Sequence, residues 1–176
     1  SVYKEKKTKI SENDKLNPRS KYGKSKLIAE NLIRKHKSIN YIILRFFNVC
    51  SALRKPLIGE FHNPETHLLP VSITKLFNNQ IIKIFGKDYK SKDGTCERDY
   101  IHIHDVCRAV SNSSKLLLKK DKNYTLNIGN GKTISNFDIL KSLKKITKRN
   151  IKYKFIGKRK GDQPRLFCNT NKANQQ

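Results

Sequence analysis

Polar positions dominate the first fifteen residues, and a regular apolar pattern first appears where Leu27, Ile28, Leu32 and Ile33 recur at the spacing of one helix face. Asn17-Pro18 predicts the opening of that helix, because asparagine can cap and proline is tolerated in a first turn. The run YIILRFF, Tyr41 to Phe47, is rich in apolar, β-branched and aromatic residues, the pattern of a buried strand. A helix followed by a buried strand places the chain in the α/β class.

The pattern continues in alternation. A polar loop from Gly59 to His67 leads to a helical segment near Leu68 to Phe77, then to a short strand, IIKIF, and a long turn region, GKDYKSKDGTCE. RDYIHI predicts a short strand, and HDVCRAVSNSSKLLLKK a helix with Val106, Val110, Leu117 and Leu118 facing inward. YTLNIG reads as another strand. Ser135 with Asp138 forms a capping-box pattern ahead of a helix carrying Ile139, Leu140, Leu143 and Ile146. IKYKF predicts a final strand. Internal repeats and low-complexity linkers are absent from the sequence.

At 176 residues the chain has room for one domain with a substantial core and too little for a multi-domain enzyme. It contains no methionine and opens on SVY, which resembles the tail of a strand, so it is expected to be part of a longer chain. No apolar run approaches the roughly 20 residues that span a bilayer, and the first fifteen positions lack the apolar centre of a signal peptide. A soluble, cytoplasmic protein with no membrane partner is expected. The four cysteines, Cys50, Cys96, Cys107 and Cys168, show no C-x-x-C spacing, which predicts reduced, structural thiols.

The net charge of +25 would suit an acidic partner. The lysines, however, are spread along the whole chain among Asn and Ile, a pattern of compositional drift rather than of a nucleic-acid face. With no zinc-finger spacing or aromatic-basic ribonucleoprotein motif, nucleic acid is not expected as a partner.

The chemistry concentrates in SKYGKSKLIAENLIRKHK, where Tyr22 and Lys26 stand four residues apart on the predicted helix. A phenol can act as a base near neutral pH only if its phenolate is stabilised by about 4 kcal/mol. A cation one helical turn away, at roughly 4 Å and an effective dielectric near 20, contributes on the order of that amount. The same spacing also arises by chance on solvated helix faces of a lysine-rich chain. Elsewhere, His102 and His104 would alternate onto one strand face near Cys107, which raises a metal hypothesis. Gly129 and Gly131 do not form G-x-G-x-x-G and read as a strand-end turn.

Several segments together resemble the nucleotide-sugar epimerases of the extended short-chain dehydrogenase/reductase family, also termed NAD-dependent epimerases and dehydratases. YGKSK is similar to that family's Y-G-x-S-K catalytic helix, and LRFFNVCSA to its L-R-[YF]-F-N-x-x-G-A strand and turn. FGKDYKSKDGTCERDYIHIHDV resembles its F-G-x-D-Y-x-T-x-D-G-T-x-x-R-D-Y-I-H-V-x-D segment, and LNIGNGKTIS and KRKGDQPRL match later landmarks in the correct order. The resemblance runs from Ser1 to about Ala173. It also accounts for His102 and Asp105 without a metal, so none is expected.

The resemblance implies the last part of a Rossmann-type doubly wound domain over residues 1–50, carrying the Y-x-x-x-K helix, followed by an α/β UDP-sugar-binding domain over 51–176. It implies NAD as cofactor, UDP-glucose and UDP-galactose as substrates interconverted through a 4-keto sugar, and a homodimer for the full-length enzyme. Tyr22 would be the general base at the sugar 4-hydroxyl, Lys26 would hold the nicotinamide ribose and stabilise the phenolate, and Phe47 would lie beside the nicotinamide. Asn48, His67, Arg98, Arg159 and Asp162 would hold the UDP-sugar. Leu166 would flank the pocket near the sugar's C2 substituent.

Departures accompany the matches. The family's N-terminal half, with its glycine-rich fingerprint, has no counterpart here, and Ser1 falls just after the family's catalytic Ser/Thr. Lys21 stands for the usual proline before the tyrosine, Ser51 for a glycine, and the sequence stops before the usual C-terminal helices. This chain alone is therefore expected to be inactive. Other readings left open are a related epimerase, decarboxylase or dehydratase of the same family, a basic nucleic-acid-binding fragment, and an inactive gene remnant.

Overall fold

The computed structural model describes residues 1–55, 57–159 and 161–176. In chain order the elements are α1 (Lys21–Lys35), β1 (Ile42–Phe46), β2 (Asn48–Cys50), α2 (Leu68–Phe77), β3 (Ile82–Phe85), β4 (Glu97–Arg98), β5 (Tyr100–His102), α3 (Ile103–Lys119), β6 (Tyr124–Ile128), β7 (Ile134–Ser135), α4 (Asn136–Thr147), β8 (Tyr153–Ile156), β9 (Arg165–Leu166) and α5 (Asn171–Asn174). Helices alternate with strands, and three of the strand pairs are parallel, as the α/β Rossmann-type expectation requires.

The chain divides into two compact units. One comprises Ser1–Ser51, Asp99–Lys132 and Leu166–Gln176, and the other Ala52–Arg98 and Thr133–Arg165. The chain first passes from one unit to the other between Ser51 and Ala52. Two later segments, Asp99–Lys132 and Leu166–Gln176, return to the first unit. Strand pairing gives the reason: β1 lies parallel to β6, with Ile42 opposite Tyr124 and Phe46 opposite Ile128, and β2 lies parallel to β5. Parallel partners need long crossovers, so the intervening chain is free to build a second unit.

In the first unit, Ile101, Tyr124, Leu126 and Ile128 form a buried cluster, covered by Ile42 and Leu44 of β1 and by Val106, Ala109 and Leu116 of α3. That stripe differs from the predicted face. Val106 packs inward and Leu117 is half-buried, but Val110 and Leu118 are exposed. Positions 106, 109, 113 and 116 follow one helical stripe, whereas 110 is rotated from its centre by roughly a quarter turn and 118 by nearly half a turn. A second cluster of Val2, Tyr3 and Ile10 lies in the stretch that reads as irregular and charged; the chain there forms only isolated bridges, Tyr3 to Leu16 and Ile10 to Cys168.

Helix α1 begins three residues later than Asn17-Pro18 predicts. Ser20 is the N-cap, its hydroxyl accepting from the Gly23 N–H at 3.0 Å, while the Asn17 N–H donates to the Val2 carbonyl and keeps the preceding chain extended. Gly23 is required by close approach: a Cβ there would stand 2.5 Å from the Ser1 carbonyl oxygen and 2.9 Å from the Pro18 Cβ.

A buried ion pair fastens α1 to β1. Arg45 donates from Nε to Glu30 Oε1 at 2.8 Å and from Nη2 to Oε2 at 2.6 Å, with the two side chains 6% and 8% exposed. Arg45 also donates to the Tyr3 hydroxyl, which in turn donates to Asn127 Oδ1 on β6. Burial by itself would raise the Glu30 carboxyl, and the paired Arg45 guanidinium more than offsets this, holding it below the ordinary carboxylate value.

In the second unit, Ile82 and Ile84 of β3 pack with Leu140 of α4, and Leu68, Phe137 and Ile151 cover them. The capping box is present as predicted. Ser135 Oγ accepts from the Asp138 N–H, and Asp138 accepts from the Ser135 N–H, both at 3.0 Å. Ile139, Leu140 and Leu143 are buried; Ile146, predicted on the same face, is exposed on the last turn. Among the described residues, no helix is long and apolar enough to cross a membrane.

Candidate functional site

Tyr22 is the second residue of α1 and is 67% exposed, and Lys26 follows one turn later. The Lys26 ammonium lies 5.3 Å from the centroid of the Tyr22 ring, so the two side chains share one face as the spacing predicts. Neither the Tyr22 hydroxyl nor the Lys26 ammonium has a hydrogen bond or ion pair among the described residues, and Ser25 Oγ spends its donor on the Tyr22 carbonyl. The pair thus presents a free phenol and a free cation on one helical turn.

Two of the residues predicted around that pair, Phe47 and Leu166, pack on one apolar cluster. Leu27, next to Lys26 on α1, packs with Phe47 and Leu166 against Val2, Tyr3 and Ile10. Phe47 joins β1 to β2 and donates its N–H to the Ile128 carbonyl at 3.0 Å. Asn48 donates its N–H to the Asp99 carbonyl at 2.9 Å and lies opposite Tyr100. Leu166 is half-buried against the cluster, so part of its surface is committed to packing.

Asp99 organises the turn beyond β6. Its carboxylate is buried and accepts the N–H groups of Asn130 at 2.7 Å, Gly131 at 2.9 Å and Cys168 at 3.2 Å. The Cys168 thiol also donates to it, and burial followed by that neighbouring charge pushes the thiol's pKa up. Gly129 leaves space for this arrangement, since a Cβ would meet Cys168 Sγ at 2.5 Å and Asp99 Oδ2 at 2.9 Å. The strand-end turn expected at Gly129 and Gly131 is therefore present, with Gly131 at φ 69°.

In the second unit Arg98 is largely buried, with 15% of its side chain exposed. It donates from Nη1 to the Gln163 carbonyl at 2.7 Å and the Glu97 carbonyl at 3.0 Å, and from Nη2 to Asp162 Oδ1 at 3.4 Å. Arg98 and Asp162 are thus brought together as an ion pair. Beside them, Gln163 Oε1 is buried and unpartnered among the described residues. Arg159 lies with its guanidinium 3.8 Å from the Phe85 ring centroid and is exposed. Phe85 carries no assigned role in the sequence reading, though it opens the FGKDY motif. The intervening Lys160 lies outside the described residues.

His67 is the N-cap of α2 and makes no side-chain cap hydrogen bond. Its Nδ1 lies 2.9 Å from Glu65 Oε1, which also accepts the N–H groups of Thr66 and His67 at 2.7 Å. These bonds, the His67 N–H foremost, hold the Glu65 carboxyl down at about 2. His62 approaches the other oxygen, with Nδ1 3.4 Å from Glu65 Oε2, and its Nε2 is 3.1 Å from Glu60 Oε1. The spacing H-N-P-E-T-H carried that signal, and the sequence reading took the stretch as a polar loop.

The other histidine pair behaves differently. The strand ends at His102, and α3 begins at Ile103, so His102 and His104 do not alternate along one strand. Their rings stack at 5.1 Å, His102 Nδ1 accepts the His104 N–H, and His102 Nε2 lies 2.7 Å from Ser51 Oγ. Ser51, which stands where the resembling family has glycine, adopts φ 90°.

Parallel strand pairs with flanking helices, and an exposed Y-x-x-x-K pair at the head of α1, define the class. The chain belongs to the NAD dependent epimerase/dehydratase family, whose model matches residues 1–129. A UDP-glucose 4-epimerase of Lactobacillus helveticus is 38% identical over 172 residues, covering 96% of this chain and 52% of its own length. The crystal structure of UDP-glucose 4-epimerase from Brucella ovis in complex with NAD superposes with a TM-score of 0.91 at 32% identity, covering 99% of this chain and 55% of that one. The enzyme of Bifidobacterium longum, solved with NAD+ and UDP, gives a TM-score of 0.90 at 26% identity, covering 97% and 53%. The chain spans about half the length of the curated relatives it matches.

Proposed function

We propose that this chain is the part of a UDP-glucose 4-epimerase that carries the catalytic Tyr–Lys pair and much of the UDP-sugar site, and that the full-length protein interconverts UDP-galactose and UDP-glucose. The observation that carries this reading is the Tyr22–Lys26 pair, an exposed phenol and a cation on one turn of α1.

Tyr22 takes the proton from the sugar 4-hydroxyl and returns it when the hydroxyl is re-formed. Lys26 stabilises the phenolate and holds the nicotinamide ribose. Their freedom from other partners fits an incoming cofactor and substrate, and Phe47, at the end of β1 in the same unit, supplies an apolar surface beside the nicotinamide. When bound, NAD supplies the reversible oxidation of the sugar carbon.

Arg98, Arg159 and Asp162, with His67 and Asn48, hold the UDP-sugar. A guanidinium suits a diphosphate because its forked donors are fixed in direction and permanently charged. Leu166, intermediate in bulk, would discriminate among C2 substituents by only about 1–3 kcal/mol, so a preference for UDP-glucose and UDP-galactose over N-acetylated sugars would be graded. The full-length enzyme is expected to be a homodimer.

The test is UDP-galactose turnover by the full-length protein and by its Tyr22→Phe variant. Phenylalanine keeps the ring and removes only the transferable proton, so turnover should be abolished while UDP binding stays close to wild type. Wild-type turnover in Tyr22→Phe would overturn the assignment of the base.

A further inference from the structure

We propose that the loop ahead of α2 binds one divalent transition-metal ion of the zinc class, ligated by His62, Glu65 and His67. One ligand atom from each residue lies within 4.8 Å of the other two. A tetrahedral zinc shell with bonds of about 2.0–2.2 Å places its ligand atoms roughly 3.3–3.5 Å apart. The His62 Nδ1 to Glu65 Oε2 separation of 3.4 Å already matches that edge, and His67 Nδ1 lies 2.9 Å from Glu65 Oε1. Both imidazoles sit on the surface, and the remaining edge, between His62 and His67, lies within the same 4.8 Å.

The hydrogen bonding around the cluster favours a cation at its centre. Each ring nitrogen of His62 faces a carboxylate: Nε2 faces Glu60 and Nδ1 faces Glu65. A neutral imidazole carries one proton. With that proton on Nε2, the Nδ1 lone pair opposes the Glu65 carboxylate, and a cation between them removes the conflict. Glu60 then orients the ring from outside, as carboxylates commonly do for metal-bound histidine. Glu65 is oriented in the same way, since two backbone N–H groups fix Oε1 and leave Oε2 directed at His62. Two imidazoles and one carboxylate suit zinc, nickel or copper better than calcium or magnesium. His102 lacks this character, because both of its ring nitrogens already have partners, the His104 N–H and Ser51 Oγ.

The test is calorimetric titration of ZnCl2 into the chelator-stripped 176-residue chain, with no UDP-sugar present, so the result does not depend on the role given to His67 above. One ion per chain should bind with micromolar affinity. His62→Ala, His67→Ala and Glu65→Gln should each weaken it by about 10- to 100-fold, and His104→Ala should leave it unchanged. Glu65→Gln keeps an oxygen for the two backbone donors, and a circular dichroism melt of each variant separates lost ligation from lost folding. Cobalt substitution should give a four-coordinate visible spectrum without a thiolate charge-transfer band. Absence of binding, a thiolate band, or unchanged affinity in a folded His62→Ala variant would overturn the proposal.

Discussion

Replacing Glu30 by glutamine tests whether the buried pair with Arg45 is what holds α1 to the sheet. The substitution keeps size and removes charge, leaving the Arg45 guanidinium buried without its counter-ion. Removing one partner of a buried pair costs about 3–5 kcal/mol. Arg45 would retain two acceptors, the Tyr3 hydroxyl at 2.7 Å and the Glu12 carbonyl at 3.3 Å, which places the cost at the lower end, about 3 kcal/mol. For a chain of this length that loss lowers Tm by about 6–12 °C. The measurement is a urea titration at pH 7 followed by circular dichroism, alongside Arg45→Met and the double variant Glu30→Leu/Arg45→Met. Because the double variant leaves no buried charge, it should lie within about 1 kcal/mol of wild type. A single-variant cost below about 1 kcal/mol, the value of a solvated pair, would refute the reasoning. So would a double variant as unstable as the sum of the singles.

The same pair predicts an acid limb: the Glu30 pKa is depressed in the folded state, so its stabilisation is present above the ordinary carboxylate value and is lost as pH falls through the folded one. Asp93, Glu97 and Asp138 are depressed likewise, so melts from pH 7 to pH 3 should show stability falling below about pH 4.5, with a shallower fall in Glu30→Gln. Gly129→Ala should destabilise by about 1–3 kcal/mol in chemical denaturation, because its Cβ would enter the buried contact of Cys168 with Asp99; a neutral result would mean the turn moves aside freely. Arg98→Lys in the full-length protein should weaken UDP-sugar binding about tenfold by calorimetry, since an ammonium cannot reproduce the fork directed at Gln163 and Asp162; unchanged affinity would place Arg98 outside the site.

Local patterns carried much of this protein. The capping box at Ser135, the strands within YIILRFF and YTLNIG, and the one-turn spacing of Tyr22 and Lys26 are properties of neighbouring residues, and the structure reproduces each. Helix faces were less legible. Val110, Leu118 and Ile146 are apolar at helical spacing but exposed, because which part of an apolar arc turns inward depends on the neighbour it meets. The start of α1 was settled by a distant strand of chain: Val2 claims the Asn17 N–H, and Ser20 becomes the cap.

What only the tertiary structure decided are the pairings between residues far apart in sequence. Periodicity does not announce that Arg45 meets Glu30, that Asp99 gathers Asn130, Gly131 and Cys168, or that the chain returns twice to its first unit. Nor does composition tell a polar loop from the convergence of His62 and His67 on Glu65, since that depends on the turn ahead of α2 bringing their side chains onto one carboxylate. A sequence specifies turns, faces and caps through contacts a few residues long. Parallel pairing and buried charge depend on which segments close long crossovers, and that is resolved only when the whole chain packs.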